Sequence, residues 1–485
     1  MTAVIEGGPD AAGQLGSRDR TVIGVLLVSA FVVVLNETVM SVALPVLMTD
    51  LRIEASVGQW LTAGFLLTMS VVIPVTGFLI RRVPTRILFA TAMVLFSSGT
   101  LLAAVAPDFG VLFAGRVVQA SGTAIMMPLL TTTVMTLVPP ARRGVLMGNI
   151  AMVMSVAPAI GPTVSGIVLD LLGWRYVFWL VLPVALATLV LGLRRITNLG
   201  EPTPMPIDVV SVVLSALGFG GLVYGLSSVG HSGGGSSPVV TWGAFAVGAA
   251  GVVAFVARQL VLQRADRALL DLRTFRSRTF TVASVMMMLM MAMLLGTIVV
   301  LPIYLQSVLM LEPLTTGLLL LPGGLIMGVL GPVVGRLYDR FGARTLLVPG
   351  TVATSAALWS ATLFTADSSL LLVVGFHLVL SVGLAFVFTP LFTAGLGAVP
   401  EKLYPYGSAI FSTVQQLAGA AGVALLVSVL SVRSAALAAE GAALVEQTAA
   451  GVHAAFVVAA ALSLLAIAGA FLVRGSASVG TPATH

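Results

Sequence analysis

Cysteine is absent from this 485-residue chain, lysine occurs once and histidine four times. Without cysteine there is neither a disulfide framework nor a thiolate metal site. The histidines at 231, 377, 453 and 485 are too scattered to hold zinc. Charge is scarce as well: 9% of residues, against roughly 25% in a soluble domain. A water-soluble chain so composed could not cover its surface with polar groups. No glycine-rich phosphate loop, nucleophile elbow or metal-ligand cluster appears, and no loop is long enough for a soluble catalytic domain. Neither an enzyme nor a cofactor is expected.

What is present is apolar: 58% of residues are hydrophobic, in blocks of twenty or more. That is about the length needed to cross a hydrocarbon core of ~30 Å. In lipid every backbone amide must be paired within the segment, so such blocks are helices. Spans read at 21–47, 57–80, 86–106, 110–138, 144–169, 174–193, 208–228, 238–263, 279–309, 315–338, 344–365, 368–396, 406–432 and 452–473. With the N-terminus inside, 20 of the 24 basic residues fall in inner segments; only Arg52, Arg175 and Arg433 fall outside, and Arg116 lies within a span. A miscounted helix would scramble that alternation from the error onward. The net charge of +6 is therefore a topology signal rather than a nucleic-acid surface. The expected fold class is an all-α polytopic membrane protein with fourteen transmembrane helices and both termini cytoplasmic, in the bacterial inner membrane.

The chain also repeats itself. A shift of 258 residues lays Pro74–Leu88 on Pro332–Leu346 with seven identities in fifteen positions. Nearby shifts place Leu44-Pro45 on Leu301-Pro302, and Gly122 and Ala124 on Gly383 and Ala385. Two copies of a six-helix unit follow, 21–195 and 279–474. Between them, 196–278 is a linker carrying two extra helices, and 1–20 and 475–485 are cytoplasmic tails. Within the linker, 196–207 is Pro-rich, 229–237 is Gly/Ser-rich, and the charged stretch 264–278 suits a connector lying on the membrane surface. Duplicated halves around a central site are the usual architecture of secondary transporters.

Three motifs carry a resemblance. Gly335-Arg336-Leu337-Tyr338-Asp339-Arg340-Phe341-Gly342-Ala343-Arg344 resembles the G-x-L-x-D-R-x-G-R signature of the major facilitator superfamily. Physically, glycine lets helix ends approach, and Asp339 can pair with arginines or cap a neighbouring helix N-terminus. Gly335, Asp339, Arg340, Gly342 and Arg344 thus form a candidate conformational latch, against the plainer reading of a solvated charged turn. The first-half copy departs from the pattern, with Arg81 for the aspartate and Pro84 for the glycine. Ala157-Pro158-Ala159-Ile160-Gly161-Pro162-Thr163-Val164-Ser165-Gly166 resembles the superfamily's antiporter motif; here Pro158, Gly161, Pro162 and Gly166 suit a bent, closely packed helix. Leu35-Asn36-Glu37-Thr38-Val39-Met40-Ser41-Val42-Ala43-Leu44-Pro45 resembles the L-D-x-T-x-x-N-V-A-L-P signature of fourteen-span drug:proton antiporters. Its acid stands one place later than in the family, with Asn36 at the usual aspartate position. The resemblance covers nearly the whole chain, and implies the major facilitator fold and proton-coupled export of lipophilic, often cationic compounds.

Of the eighteen acidic residues only Glu37 lies near the middle of a span. A charged carboxylate at that depth costs several kcal/mol unless paired or hydrated, so Glu37 can gain and lose a proton; the alternative is a permanent tie to a polar partner. Arg116, the one cation inside a span, belongs to a stretch resembling the family's R-x-x-Q-G motif. Glu37 and Arg116 are the expected proton-coupling pair, although interhelical pairing also accounts for Arg116. Asn36, Gln119, Asn149, His377, Gln415 and Gln416 are candidates to line a cavity, and His377 could equally be a packing residue. Met126-Met127 and the run from Met286 to Met291 offer an adaptable apolar wall, or simply face lipid. Expected partners are a small-molecule substrate, protons and the bilayer, with the chain acting as a monomer. Export of a native metabolite, lipid or siderophore is the rival on the same fold. A membrane-embedded enzyme or receptor is the rival of another class.

Overall fold

A computed structural model describes residues 16–198, 202–203, 206–230, 238–365 and 367–473. Arg474, the Gly/Ser-rich stretch 231–237, part of the Pro-rich linker and most of both tails lie outside the described residues. Among those described, fourteen long helices carry the chain: α1 Ser17–Asp50, α2 Trp60–Arg82, α3 Thr85–Ala104, α4 Phe109–Leu137, α5 Arg143–Leu171, α6 Arg175–Arg195, α7 Val209–Gly230, α8 Pro238–Leu262, α9 Arg278–Ser307, α10 Pro313–Phe341, α11 Ala343–Ala361, α12 Leu370–Gly397, α13 Tyr404–Ala439 and α14 Leu444–Leu472. Short 3-10 turns and one four-residue helix connect them. In α7 an α-helical turn runs through a π-helical segment, Ala216–Gly220, before α-helix resumes.

Thirteen of these are long and apolar enough to cross a membrane. The remaining one, α11, has its leucines diluted by Arg344 and five hydroxyl side chains. Hydroxyls among these are satisfied within the bundle: Thr351 donates to Leu347 O at 2.8 Å and Thr354 to Gly350 O at 2.9 Å in the same helix, and Ser355 accepts from Ser463 of α14 at 2.7 Å. Such bonds let hydroxyls sit inside a helix bundle at little cost. The outer ends of α13 and α14 run further than hydropathy indicates. At 36 residues, α13 is about 54 Å long, well beyond a ~30 Å core. Arg433 therefore lies on a helix, not in a loop. The alanine-rich sequence around it is polar enough to end a hydropathy window yet still a good helix former.

Helices α1–α6 pack among themselves, and so do α9–α14. The pairings correspond one for one: α1 against α5 as α9 against α13, α2 against α4 as α10 against α12, α3 against α6 as α11 against α14. The halves meet along two seams, α5 with α10 and α2 with α13. The α5–α10 seam is the most extensive helix contact in the molecule. Gly144 and Gly148 of α5 lie against Gly335 and Gly331 of α10, so close that an added methyl at any of them would overlap opposing backbone. This is small-residue packing of the kind that draws membrane helices together.

The inserted α7 and α8 form a hairpin whose contact is also glycine-lined, Gly218 and Gly221 against Gly251 and Gly248. It rests on both α2 and α13, with Tyr224 stacked on Trp60 at 5.8 Å between ring centroids. The hairpin thus covers the α2–α13 seam. At its Arg258 end, Asp208 caps α7 and takes Arg258 in a two-point bridge of 2.6 and 2.7 Å. These bonds to Arg258 and Ser211 hold the Asp208 carboxyl well below the usual carboxylate range.

The connector 264–278 lies only partly on the surface: Arg264, Asp266, Arg267, Arg276 and Arg278 are exposed as its charge pattern suggests, but its middle is not. Ala268, Leu269, Leu270 and Asp271 are buried, and Gln259 accepts the Leu269 and Leu270 amides at 2.7 and 3.2 Å. Arg273 bridges Asp271 at 2.6 Å and also Asp266. Leu269 and Leu270 point into the protein, because a cluster of α9 and α13 side chains includes them in one core, while Phe275 stays 40% exposed.

Candidate functional site

Midway along α1, neighbouring positions face different surroundings because each residue advances about 100° around a helix. Asn36 is 1% exposed and points at α4, where Arg116 donates to its Oδ1 at 3.3 Å. Arg116, also 1% exposed, donates to Gln119 Oε1 at 2.6 Å. Gln119 lies three residues on, on the same helix face. Gln119 passes the chain on to Thr100 of α3 at 2.8 Å, and Thr100 donates to Phe96 O at 2.6 Å. From α2, the Phe65 ring lies under the guanidinium, 4.1 Å from its centroid. Four helices thereby hold one buried cation by neutral acceptors and a ring face.

Glu37 turns away from this direct contact. It is half-buried and forms none of the ion pairs found among the described residues, although it lies close enough for the Arg116 charge to reach it. So the guanidinium binds Asn36, the residue at the family's aspartate position, and not the shifted acid. Two buried donors, Asn36 Nδ2 and Arg116 Nε, have no protein partner among the described residues. The antiporter-like stretch of α5 packs here. Gly161 abuts Thr38 so tightly that a side chain would overlap its hydroxyl, and Ser165 donates to Val39 O at 3.0 Å. Pro158 and Pro162 lie within α5; Gly166 has open space beside it.

The other candidates lie elsewhere. Gln415 and Gln416 are half-buried on α13 and reach apart: Gln415 Nε2 to Met287 Sδ at 3.8 Å, Gln416 Nε2 to Met69 Sδ at 3.4 Å. The second of these crosses between the halves. His377 sits against Gly323, with its Nε2 3.0 Å from Leu320 O, wholly within the second half. Asn149 is half-buried, next to Gly148 of the α5–α10 seam. In the methionine run, Met286, Met287 and Met290 are core while Met288 is 45% exposed, and Met126 is fully buried.

At the arginine-rich ends of the helices the halves are tied together. Asp339 accepts from Gly144 N at 2.8 Å and Val145 N at 3.0 Å, capping α5. A carboxylate there satisfies orphan amides and the helix dipole together. Arg340 and Arg344 take no part in this cap, lying instead over the rings of Phe341 and Phe471. Gly342 ends α10 with φ +77, a left-handed conformation that glycine adopts without strain. At the pseudo-equivalent α2–α13 seam the substituted Arg81 donates to Tyr406 Oη at 3.2 Å, and beside it Arg143, at the start of α5, donates to Tyr404 Oη of α13 at 3.1 Å. Thr132 and Ser408 add a bond of 3.2 Å. Motif reading missed Tyr404 and Tyr406; their signal was two tyrosines in the first turn of a helix whose repeat partner begins with Arg143.

The family model of the Major Facilitator Superfamily matches residues 26–423. The chain is 39% identical over 456 residues to the lincomycin resistance protein LmrB of Bacillus subtilis, covering 93% of this chain and 94% of the relative. It is 29% identical over 420 residues to the tetracenomycin C resistance and export protein of Streptomyces glaucescens, covering 86% and 76%. Its fold is similar to the crystal structure of the human organic anion transporter MFSD10, with TM-score 0.66 and 16% identity over 94% of this chain and 99% of that one. The chain belongs to the Major Facilitator Superfamily and is a multi-pass plasma-membrane transporter.

Proposed function

We propose that this transporter exports lipophilic, often cationic compounds, antibiotics among them, in exchange for protons. The observation that carries the reading is Glu37: a carboxylic acid in mid-helix, outside every ion pair among the described residues, beside a buried arginine. A carboxylate at such depth is costly when charged, so its protonation is easily traded against a cationic cargo or against a rearrangement of its neighbours. Relatives named for lincomycin resistance and tetracenomycin C export support an antibiotic cargo.

In the proposed cycle Glu37 takes a proton from the outer side, which releases cargo there. Asp339, Arg81 and Arg143 hold the inner ends together in that state and part as the halves rock. The proton then leaves toward the cytoplasm and the cavity refills. The latch set Gly335, Asp339 and Gly342 and the α5 motif would guide this motion, while Gln119, Gln415 and Gln416 would offer polar contacts to cargo. The energy source is the proton gradient.

The test compares wild type with Glu37→Gln in proteoliposomes, across a panel of dyes and antibiotics under an imposed pH gradient. Loss of uphill efflux with retained downhill exchange is the expected outcome. Undiminished uphill efflux in the variant would refute the coupling role. Flux of neither drugs nor dyes in wild type would point to a native metabolite as cargo.

A further inference from the structure

A groove of about 600 Å³ opens between α3 and α6, and Glu37 is not among the residues that line it. Ile87, Ala90, Val94 and Leu95 of α3 and Leu193 of α6 form its apolar wall, with Thr91 among them, and Arg86 and Asn198 stand at one end. Its size falls within the range of about 300–1,000 Å³ that holds small molecules. The groove is built by the fold. Gly192 of α6 packs under the Phe89 ring so closely that a side chain there would overlap it. That contact draws the two helices together beside the groove, while Ile87 and Val94 remain 56% and 51% exposed.

Dimensions and charge select the occupant. Nine residues separate Arg86 from Leu95, about 14 Å along a helix, which matches one leaflet's half of a ~30 Å hydrocarbon core. Arg86 is exposed and pairs with no carboxylate among the described residues. Its backbone amide is taken by Asn198 Oδ1 at 3.2 Å, which brings the linker's asparagine to the same corner. Arg194 and Arg195, both exposed, end α6 next to it. The result is a cationic corner at headgroup depth leading into an apolar slot one leaflet deep.

We propose that this groove binds an anionic phospholipid of the inner leaflet, its phosphate on Arg86 and Asn198 and one acyl chain along Ile87, Ala90, Val94 and Leu95. A basic residue near a membrane surface contributes attraction to anionic lipid worth roughly fivefold in binding. The bound lipid would brace α3 against α6 within the first half, leaving the seams between the halves free.

The full-length protein, delipidated in detergent and offered equal phosphatidylglycerol and phosphatidylcholine, is examined by native mass spectrometry. Wild type should retain one phosphatidylglycerol in preference to phosphatidylcholine. Arg86→Gln should lose that preference by roughly fivefold and Arg86→Lys should restore most of it. Val94→Trp, which fills the slot and leaves the corner intact, should lower retention of both lipids; circular dichroism and a single size-exclusion peak establish that each variant is folded. Equal retention of the two lipids by wild type would overturn the proposal, as would a preference untouched by Arg86→Gln. Displacement of phosphatidylglycerol by glycerol phosphate at equal concentration would also overturn it, since the site would then hold a free phosphate ester.

Discussion

At the scale of single residues, a shift of one position decides what the buried arginine meets. Asn36 supplies a neutral acceptor 3.3 Å from Arg116 and leaves Glu37 outside the direct contact. An Arg116→Lys exchange keeps the charge but removes the planar fork that serves Gln119, Asn36 and the Phe65 face together. Hydrogen bonds to charged groups contribute about 1.5–3 kcal/mol each. Efflux by Arg116→Lys should therefore fall about tenfold or more at unchanged membrane abundance, read by dye extrusion from energised vesicles. Efflux at wild-type rate would show that only the charge matters. The presence of Glu37, Arg116 and Gln119 in mid-span was legible from composition and spacing alone. That Asn36 would be the partner, and Thr100 and Phe65 the support, was not, because those contacts come from three other helices and no local pattern encodes them.

At the scale of elements, helix contacts depend on whether a side chain can be present at all. Gly335 lies where a larger residue would collide with the Gly144 carbonyl. Gly335→Leu should hold α10 off α5, break the Asp339 cap and raise labelling of inner-face cysteines introduced near Val145, with transport lost. Asp339→Ala removes the cap alone, worth about 1 kcal/mol by analogy with other caps. It should loosen the same face without the steric block, so its labelling should rise less than that of Gly335→Leu. The α7–α8 hairpin gives a pH-dependent counterpart. Bonding to Arg258 lowers the Asp208 pKa, so the bridge's stabilisation is fully present above the ordinary carboxylate value of about 4. It is lost as pH falls through the lower folded value. Asp208→Asn should lower the melting temperature at pH 7, and the gap from wild type should narrow in acid. A gap that stays constant down to strong acid would refute the assignment. The sequence displayed the glycine motif, but the glycines at 144 and 148 gained meaning only when α10 was laid against them. The connector 264–278 shows the reverse in its middle: Ala268, Leu269 and Leu270, part of an alternation that suits a lipid surface, are buried where a protein surface stands in its place.

At the scale of the whole molecule, two pseudo-equivalent seams are closed by different chemistry. Asp339 caps α5 at one, and Arg81 meets Tyr406 at the other, the hairpin lying across the second seam. The natural absence of cysteine makes the inner closure directly testable. An Arg81→Cys, Tyr406→Cys pair, joined by a reducible bifunctional thiol reagent that spans the space of the two lost side chains, should arrest transport, and reductant should restore it. Continued transport by the cross-linked protein would mean that this seam does not open. Sequence by itself determined the membrane class, the helix count, the duplication and the arginine-rich side, because hydrocarbon thickness and the unpaired backbone amide constrain each span independently of its neighbours. It also marked Glu37 and Asp339, since an acid within or at the end of an apolar span stands out whatever surrounds it. Only the tertiary structure decided that Asp339 would cap a helix instead of pairing with arginine, that Arg81 would find a tyrosine, and that the extra helices would cover one seam. Those outcomes depend on which surfaces meet across hundreds of residues, and helices alike in lipid are told apart only by the shape and polarity of the partner they touch.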